Sequence, residues 1–293
     1  MIETIEKPVF ISSDEWKKKG TYHEVLGKEF FVIDEGKQKK CLVILHSYFS
    51  SSYDYYKVID ELSQKYRVII PDLINFGSSE VVSENYFSIV DQTDYLVSLL
   101  ESFDLTEISV LGHDYGIAIA QELLARQNGD LLPFKIVDFT YCNGNLPINN
   151  SYFLDNKESL KKDIAGKMTG MLTVYGIFKK TVKNILFEDK NISDDELLEM
   201  WKQLESNNGR SIIKFIYDYL RERKIFWNRW TSSLINTTIP VKIVWGSKDK
   251  PTEDNYPDAL AYKVEFSDVS WIEKSGHYPM LENPKEFINC ILH

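Results

Sequence analysis

Five short apolar runs rich in β-branched residues punctuate the chain: CLVILH (41–46), RVIIPD (67–72), EISVLG (107–112), KIVDFTYC (135–142) and VKIVWG (241–246). None keeps up the polar–apolar alternation of a half-exposed sheet, which predicts strands buried on both faces. Between them, YYKVIDELSQKY (55–66) and FSIVDQTDYLVSLLESF (87–103) repeat apolar residues at helical spacing. Strands alternating with helices predict an α/β chain, its mostly parallel sheet doubly wound with helices on both faces. Near the start, TYHEVLG (21–27) and EFFVID (29–34) predict an antiparallel pair at the sheet edge.

The rhythm stops after Cys142. The stretch NGNLPINNSY (143–152) is rich in Asn, Gly and Pro and marks an exit from the sheet. Mainly helical patterning follows until NTTIPVKIVWG (236–246) resumes the strands. Within it, Ser193 precedes Glu196 by three residues, the spacing of a helix capping box. The run SIIKFIYDYLRERKIFWNRW (211–230) predicts one long amphipathic helix. Residues 1–142 and 233–293 are therefore read as the core, and 143–232 as a helical cap. An insertion at the carboxyl ends of parallel strands lies where open α/β sheets bind ligands, which favours a lid over a merely stabilising decoration.

Composition narrows the function. A net charge of −10 offers no basic surface for nucleic acid or an anionic membrane. No apolar stretch approaches the roughly 20 residues of a membrane span, and MIETIEKPVF lacks the pattern of a signal peptide. A cytoplasmic location is expected. The three cysteines, Cys41, Cys142 and Cys290, are scattered, and two lie in apolar runs, which predicts buried thiols rather than a disulfide framework or a metal site.

The chemistry gathers at Gly112-His113-Asp114-Tyr115-Gly116, where a strand gives way to a helix. Small residues two apart from a central side chain describe the nucleophile elbow, a turn so tight that both neighbours must be small. Aspartate is also a good helix N-cap, so the motif alone leaves that reading open. Two further residues weigh against it. Asp249 follows the strand VKIVWG, and His277 stands in SGHYPMLENPKEF ahead of the last helix. Nucleophile, acid and histidine in that order is the sequence order of the α/β-hydrolase fold.

These residues resemble the α/β-hydrolases of the epoxide hydrolase and haloalkane dehalogenase group, which carry an aspartate in a GHDxG-type elbow beneath a helical cap. Longer stretches resemble the mesoderm-specific transcript-like hydrolases within that group: SSYDYYK (51–57), FSIVDQ (87–92), GHDYGIAIAQELL (112–124), LLEMWKQLESNNG (197–209), YLRERKIFWNRW (219–230) and HYPMLENP (277–284). A carboxylate attacks saturated carbon without a base and becomes an alkyl ester. His277 then activates water to cleave that ester, with Asp249 orienting the imidazole. The resemblance implies that the backbone N–H groups of Tyr115 and Tyr48 receive the oxyanion. It implies no metal or organic cofactor.

Epoxide and halide demand different electrophiles. Epoxide hydrolases of this group supply lid tyrosines to the departing oxygen, and Tyr219 corresponds to one of them; Tyr152 and Tyr175 are weaker candidates for the other. Dehalogenases of this group place tryptophan or arginine directly after the nucleophile, and this chain has Tyr115. Trp201, Trp227 and Trp230 are the remaining N–H candidates. The expected activity is epoxide hydrolysis on a small, apolar substrate; the alternatives are dehalogenation and a non-catalytic binding role on the same fold. One departure stands out: the usual His-Gly-X-Pro loop reads His46-Ser47-Tyr48-Phe49, where Ser47 alters the oxyanion loop and His46 braces it.

Overall fold

The computed structural model describes residues 9–48, 50–82, 86–144, 174–188, 191–206, 215–250 and 256–293. Eight strands form one sheet: β1 (Thr21–Val25), β2 (Lys28–Glu35), β3 (Cys41–Leu45), β4 (Arg67–Pro71), β5 (Glu107–His113), β6 (Lys135–Cys142), β7 (Val241–Gly246) and β8 (Ser267–Ile272). Their order is β1-β2-β4-β3-β5-β6-β7-β8. The β1–β2 and β2–β4 pairs are antiparallel and every later pair is parallel. The five apolar runs are all strands, and β1 with β2 forms the expected antiparallel edge.

β3 lies centrally with all five residues buried, which is why its sequence shows no polar face. β8 was not foreshadowed by an apolar run. Its sequence, SDVSWI, mixes polar and apolar residues because β8 is an edge strand that leaves most of its side chains partly exposed.

The described helices are α1 (Ser13–Lys19), α2 (Ile59–Leu62), α3 (Ile89–Glu101), α4 (Tyr115–Gln127), α5 (Tyr175–Ile185), α6 (Asp194–Glu205), α7 (Ile216–Ile225), α8 (Trp227–Ile235), α9 (Tyr256–Ala261), α10 (Pro279–Glu282) and α11 (Pro284–Leu292). The predicted helix over 55–66 is realised only as α2, preceded by a 3-10 turn at Ser52–Tyr55. The capping box on α6 forms as its spacing implies: Ser193 Oγ accepts from Glu196 N at 3.2 Å, and Glu196 Oε2 accepts from Ser193 N at 2.9 Å.

The single long helix expected over 211–230 is broken within the described part. Phe226, at φ −93° and ψ 6°, ends α7 and starts α8. Two anchors explain the break. Glu222 accepts from Ile89 N at 2.9 Å and from Tyr86 Oη at 2.5 Å, which ties α7 to the start of α3. One turn beyond the break, Trp230 Nε1 and Arg229 Nε donate to the buried Glu122 of α4 at 2.9 and 2.7 Å. Two docking sites pointing in different directions cannot both be met by one straight rod. All three cysteines are free, and Cys41 and Cys142 are buried. No helix among the described residues is long and apolar enough to cross a membrane.

Candidate active site

β5 runs apolar and buried up to His113, and α4 starts at Tyr115. The residue between them, Asp114, takes φ 48° and ψ −103°, a region that L-residues avoid at a cost of about 1–3 kcal/mol. The flanking glycines make that turn possible. A Cβ on Gly112 would stand 2.9 Å from Ile117 Cα, and one on Gly116 would fall on the carbonyl oxygen of Leu45. Neither position has room for alanine.

Asp114 does not cap its helix: its side chain makes no bond to the first turn of α4. The carboxylate faces the loop after β3 instead. Oδ2 accepts from Ser47 Oγ at 2.9 Å and from Tyr48 N at 3.2 Å. Tyr48 therefore lies where its amide was expected. Ser47 contributes a donor that glycine, usual at this position, lacks; its one sequence signal was that departure. His46 holds the loop, as its Nδ1–H donates to Ser47 O at 2.8 Å and its Nε2 accepts from Leu73 N at 3.0 Å. Burial draws its pKa down to about 4, so it stays neutral and keeps that tautomer. Tyr115 opens α4 at its amino end.

Asp249 and His277 come from the loops after β7 and β8 and meet directly: His277 Nδ1 lies 3.0 Å from Asp249 Oδ1, and both residues are buried. Burial opposes charge on the imidazole. The Asp249 carboxylate overcomes it, with Asp114 and Glu282 adding to the effect, and His277 is held up at about 9. Among the described residues His277 makes no direct hydrogen bond to Asp114, although the two interact electrostatically. His113, the last residue of β5, donates its Nε2–H to His277 O at 2.8 Å.

Asn143 was not singled out in the sequence beyond marking an exit from the sheet. It is fully buried, and its Nδ2 donates to Asp249 Oδ2 at 2.9 Å and to Gly276 O at 3.2 Å, while Oδ1 accepts from Gly246 N at 3.1 Å. One amide thus ties the loop after β6 to the two loops bearing the acid and the histidine.

Above the elbow lies a cluster of rings. Tyr219 of α7 is buried and stacks on Tyr48 at 5.2 Å with 17° between planes, and meets Tyr115 edge-on at 5.0 Å. Arg223, one turn on, sets its guanidinium 5.5 Å from the Tyr219 ring centroid. A cavity large enough for about one water lies beside the elbow, lined by the rings of Tyr48, Phe76, Tyr86, Phe87, Tyr115 and Phe215 and by the amides of Asn75 and Gln92. Other expectations fare differently. Tyr175 is not part of this cluster, its hydroxyl donating to the carbonyl of Asp194 at 3.2 Å in an exposed bond. Tyr152 lies outside the described residues. Trp230 spends its indole N–H on Glu122, and Trp201 packs against Phe178 and Tyr175. No cluster of side chains suited to hold a metal occurs among the described residues.

Comparison with known proteins fits this geometry. Residues 40–284 match the family described as alpha/beta hydrolase fold. The human mesoderm-specific transcript homolog protein is 30% identical over 292 residues, covering 94% of this chain and 86% of that protein. Among solved structures, epoxide hydrolase CorEH superposes with a TM-score of 0.69 at 21% identity, over 93% of this chain and 96% of that one. Haloalkane dehalogenase DbeA from Bradyrhizobium elkani USDA94 gives 0.77 at 17% identity, over 93% and 95%. The eight-stranded sheet, the strand–elbow–helix turn and the family match over most of the length lead to one conclusion: the chain belongs to the alpha/beta hydrolase family.

Proposed function

We propose that this hydrolase opens epoxides through a covalent ester on Asp114, with the helices between β6 and β7 acting as a cap over the site. The observation that carries the reading is the orientation of Asp114. A residue held at φ 48° whose carboxylate ignores the adjacent helix end, and instead takes donors from Ser47 and Tyr48, is positioned for attack rather than for capping.

With Oδ2 occupied by those donors, Oδ1 is the attacking atom. It forms a bond to the less hindered epoxide carbon, the C–O bond breaks, and Tyr219 Oη–H protonates the departing oxygen. Neutralising Asp114 removes one of the negative charges that keep His277 protonated, so the imidazole gives up its resting proton through solvent to the tyrosinate and can then take one from the attacking water. That water attacks the ester carbon. The oxyanion develops on Oδ2, already facing Ser47 Oγ and Tyr48 N, and collapse releases a diol. Asp249, fixed by Asn143, supports the imidazolium. The rings of Tyr48, Tyr115 and Tyr219 gathered by the elbow suit an apolar substrate.

Halide displacement is the weaker reading. It needs N–H donors at the leaving atom, and the indole of Trp230 is committed to Glu122.

The test is one turnover in heavy-oxygen water followed by mass spectrometry of the peptide containing Asp114. Label retained in that peptide is expected, and label found only in the diol overturns the ester route. Asp114→Asn is expected to abolish turnover.

A further inference from the structure

Tyr219 and Arg223 lie four residues apart on α7 and so share one face of the helix. The guanidinium lies over the Tyr219 ring, and its Nε is buried without a hydrogen-bond acceptor among the described residues. Arginine cannot shed its proton to escape such a position. Buried donors are nearly always paired, so an orphan of this kind beside a nucleophile marks a place that an acceptor occupies during the reaction. The side chain interacts electrostatically with Asp114 and with the phenols of Tyr219, Tyr141 and Tyr256.

Counting charge shows which acceptor it is. At rest, the Arg223 cation faces the Asp114 anion. Ester formation cancels the charge on Asp114, because the electron pair of the breaking C–O bond leaves with the oxygen. A buried cation left beside a neutral ester would be uncompensated. The departing alkoxide carries the missing charge.

We infer that Arg223, through its Nε–H, binds the departing oxygen together with Tyr219 Oη–H, and is a catalytic residue of the ester-forming step; this rests on the Asp114 reading above. The Asp114 Oδ1–C bond forms, the epoxide C–O bond breaks, and the alkoxide takes the phenolic proton. The tyrosinate so formed stays beside the guanidinium until the proton that His277 carries at rest reaches it through solvent. The neutral imidazole then takes a proton from water and passes it to the alcohol released when the ester collapses. Arg223 thus faces a carboxylate, an alkoxide and a tyrosinate in turn, and is never left without a partner. Burial pushes the Tyr219 phenol up to about 12, and the Arg223 charge pulls against that.

The experiment isolates the first step. In a His277→Gln protein, ester hydrolysis is blocked, and mass spectrometry follows adduct growth on the Asp114 peptide with 1,2-epoxyhexane as the probe. Adding Arg223→Gln is expected to slow adduct growth about 10²-fold. Arg223→Lys keeps the charge but loses the Nε–H and the planar group lying over Tyr219, and is expected to stay at least about tenfold slower than the parent. Circular dichroism establishes that each protein is folded. Equal rates for parent and Arg223→Gln overturn the assignment while leaving the ester route standing. A folded Arg223→Lys protein as fast as the parent overturns the Nε–H assignment as well. If the parent His277→Gln protein accumulates no adduct from either 1,2-epoxyhexane or 1-bromohexane, the nucleophile reading itself falls, and this inference with it.

Discussion

The hydroxyl of Ser47 changes the chemistry open to its neighbour. An oxyanion loop built on glycine offers backbone donors alone, whereas here Asp114 Oδ2 receives both an amide at 3.2 Å and a hydroxyl at 2.9 Å. On the proposed ester route those donors matter most when Oδ2 carries the oxyanion, because hydrogen bonds to charge are about twice as strong as those between neutral groups. Ser47→Ala should therefore slow ester cleavage about 10²-fold while the rate of ester formation changes much less. Pre-steady-state measurement of the two steps separates them, and equal slowing of both would place Ser47 in binding instead. Asp114 and Asp249 were legible in the chain because each follows a recognisable strand, and His277 because it stands in SGHYPMLENPKEF ahead of the last helix. Ser47 showed only as a departure from the usual loop, its partner lying 67 residues away, while Asn143, whose partner is 106 residues away, and Arg223 gave no signal of their roles.

At the scale of elements, the break at Phe226 follows the same logic. Apolar spacing runs without interruption from Ile216 to Trp230, so local patterning reads one helix. The kink comes from tertiary anchors: Glu222 at the start of α3, and Trp230 with Arg229 at Glu122 of α4. Strand β8 escaped notice for the opposite reason, because an edge position lets polar residues into a strand and hides its apolar signal. Glu122 is the clamp between the elbow helix and α8. Buried at 3% exposure, it accepts from Arg126, Arg229 and Trp230. Glu122→Gln should lower stability by about 1–3 kcal/mol, a range reduced for the partly exposed Arg229. Urea unfolding reads the loss, and a change below about 0.5 kcal/mol would show that packing alone holds α8 on α4.

For the whole molecule, pH sets activity and stability against each other. His277 is held up at about 9, above its ordinary value of 6.5, so its charged form stabilises the fold below pH 6.5 and that contribution is lost as pH rises through about 9. Asp54 adds to the trend. Burial, barely offset by its bond to Ser50 Oγ, pushes it up to about 7. A buried carboxyl raised in this way costs stability progressively as pH climbs from 3.8 to about 7. Ester cleavage needs neutral imidazole and so moves the other way. Between pH 7 and 9, the rate of ester cleavage should rise while the urea midpoint falls. His277→Gln should flatten the second trend, and a midpoint that holds level in the wild-type protein would remove His277 as its cause.

Glu282 has a further consequence. Its carboxylate collects three amides: Gly276 N at 3.0 Å, Tyr278 N at 3.1 Å and Phe187 N at 2.7 Å. The first two flank His277, and the third belongs to the chain just past α5, whose Ile185 O also accepts from His277 N at 3.1 Å. The chain just past α5 is thus moored to the loop that carries His277. If that segment swung outward it would drag the imidazole away from its carboxylate, so the pairing of His277 with Asp249 lasts only while the chain past α5 stays docked.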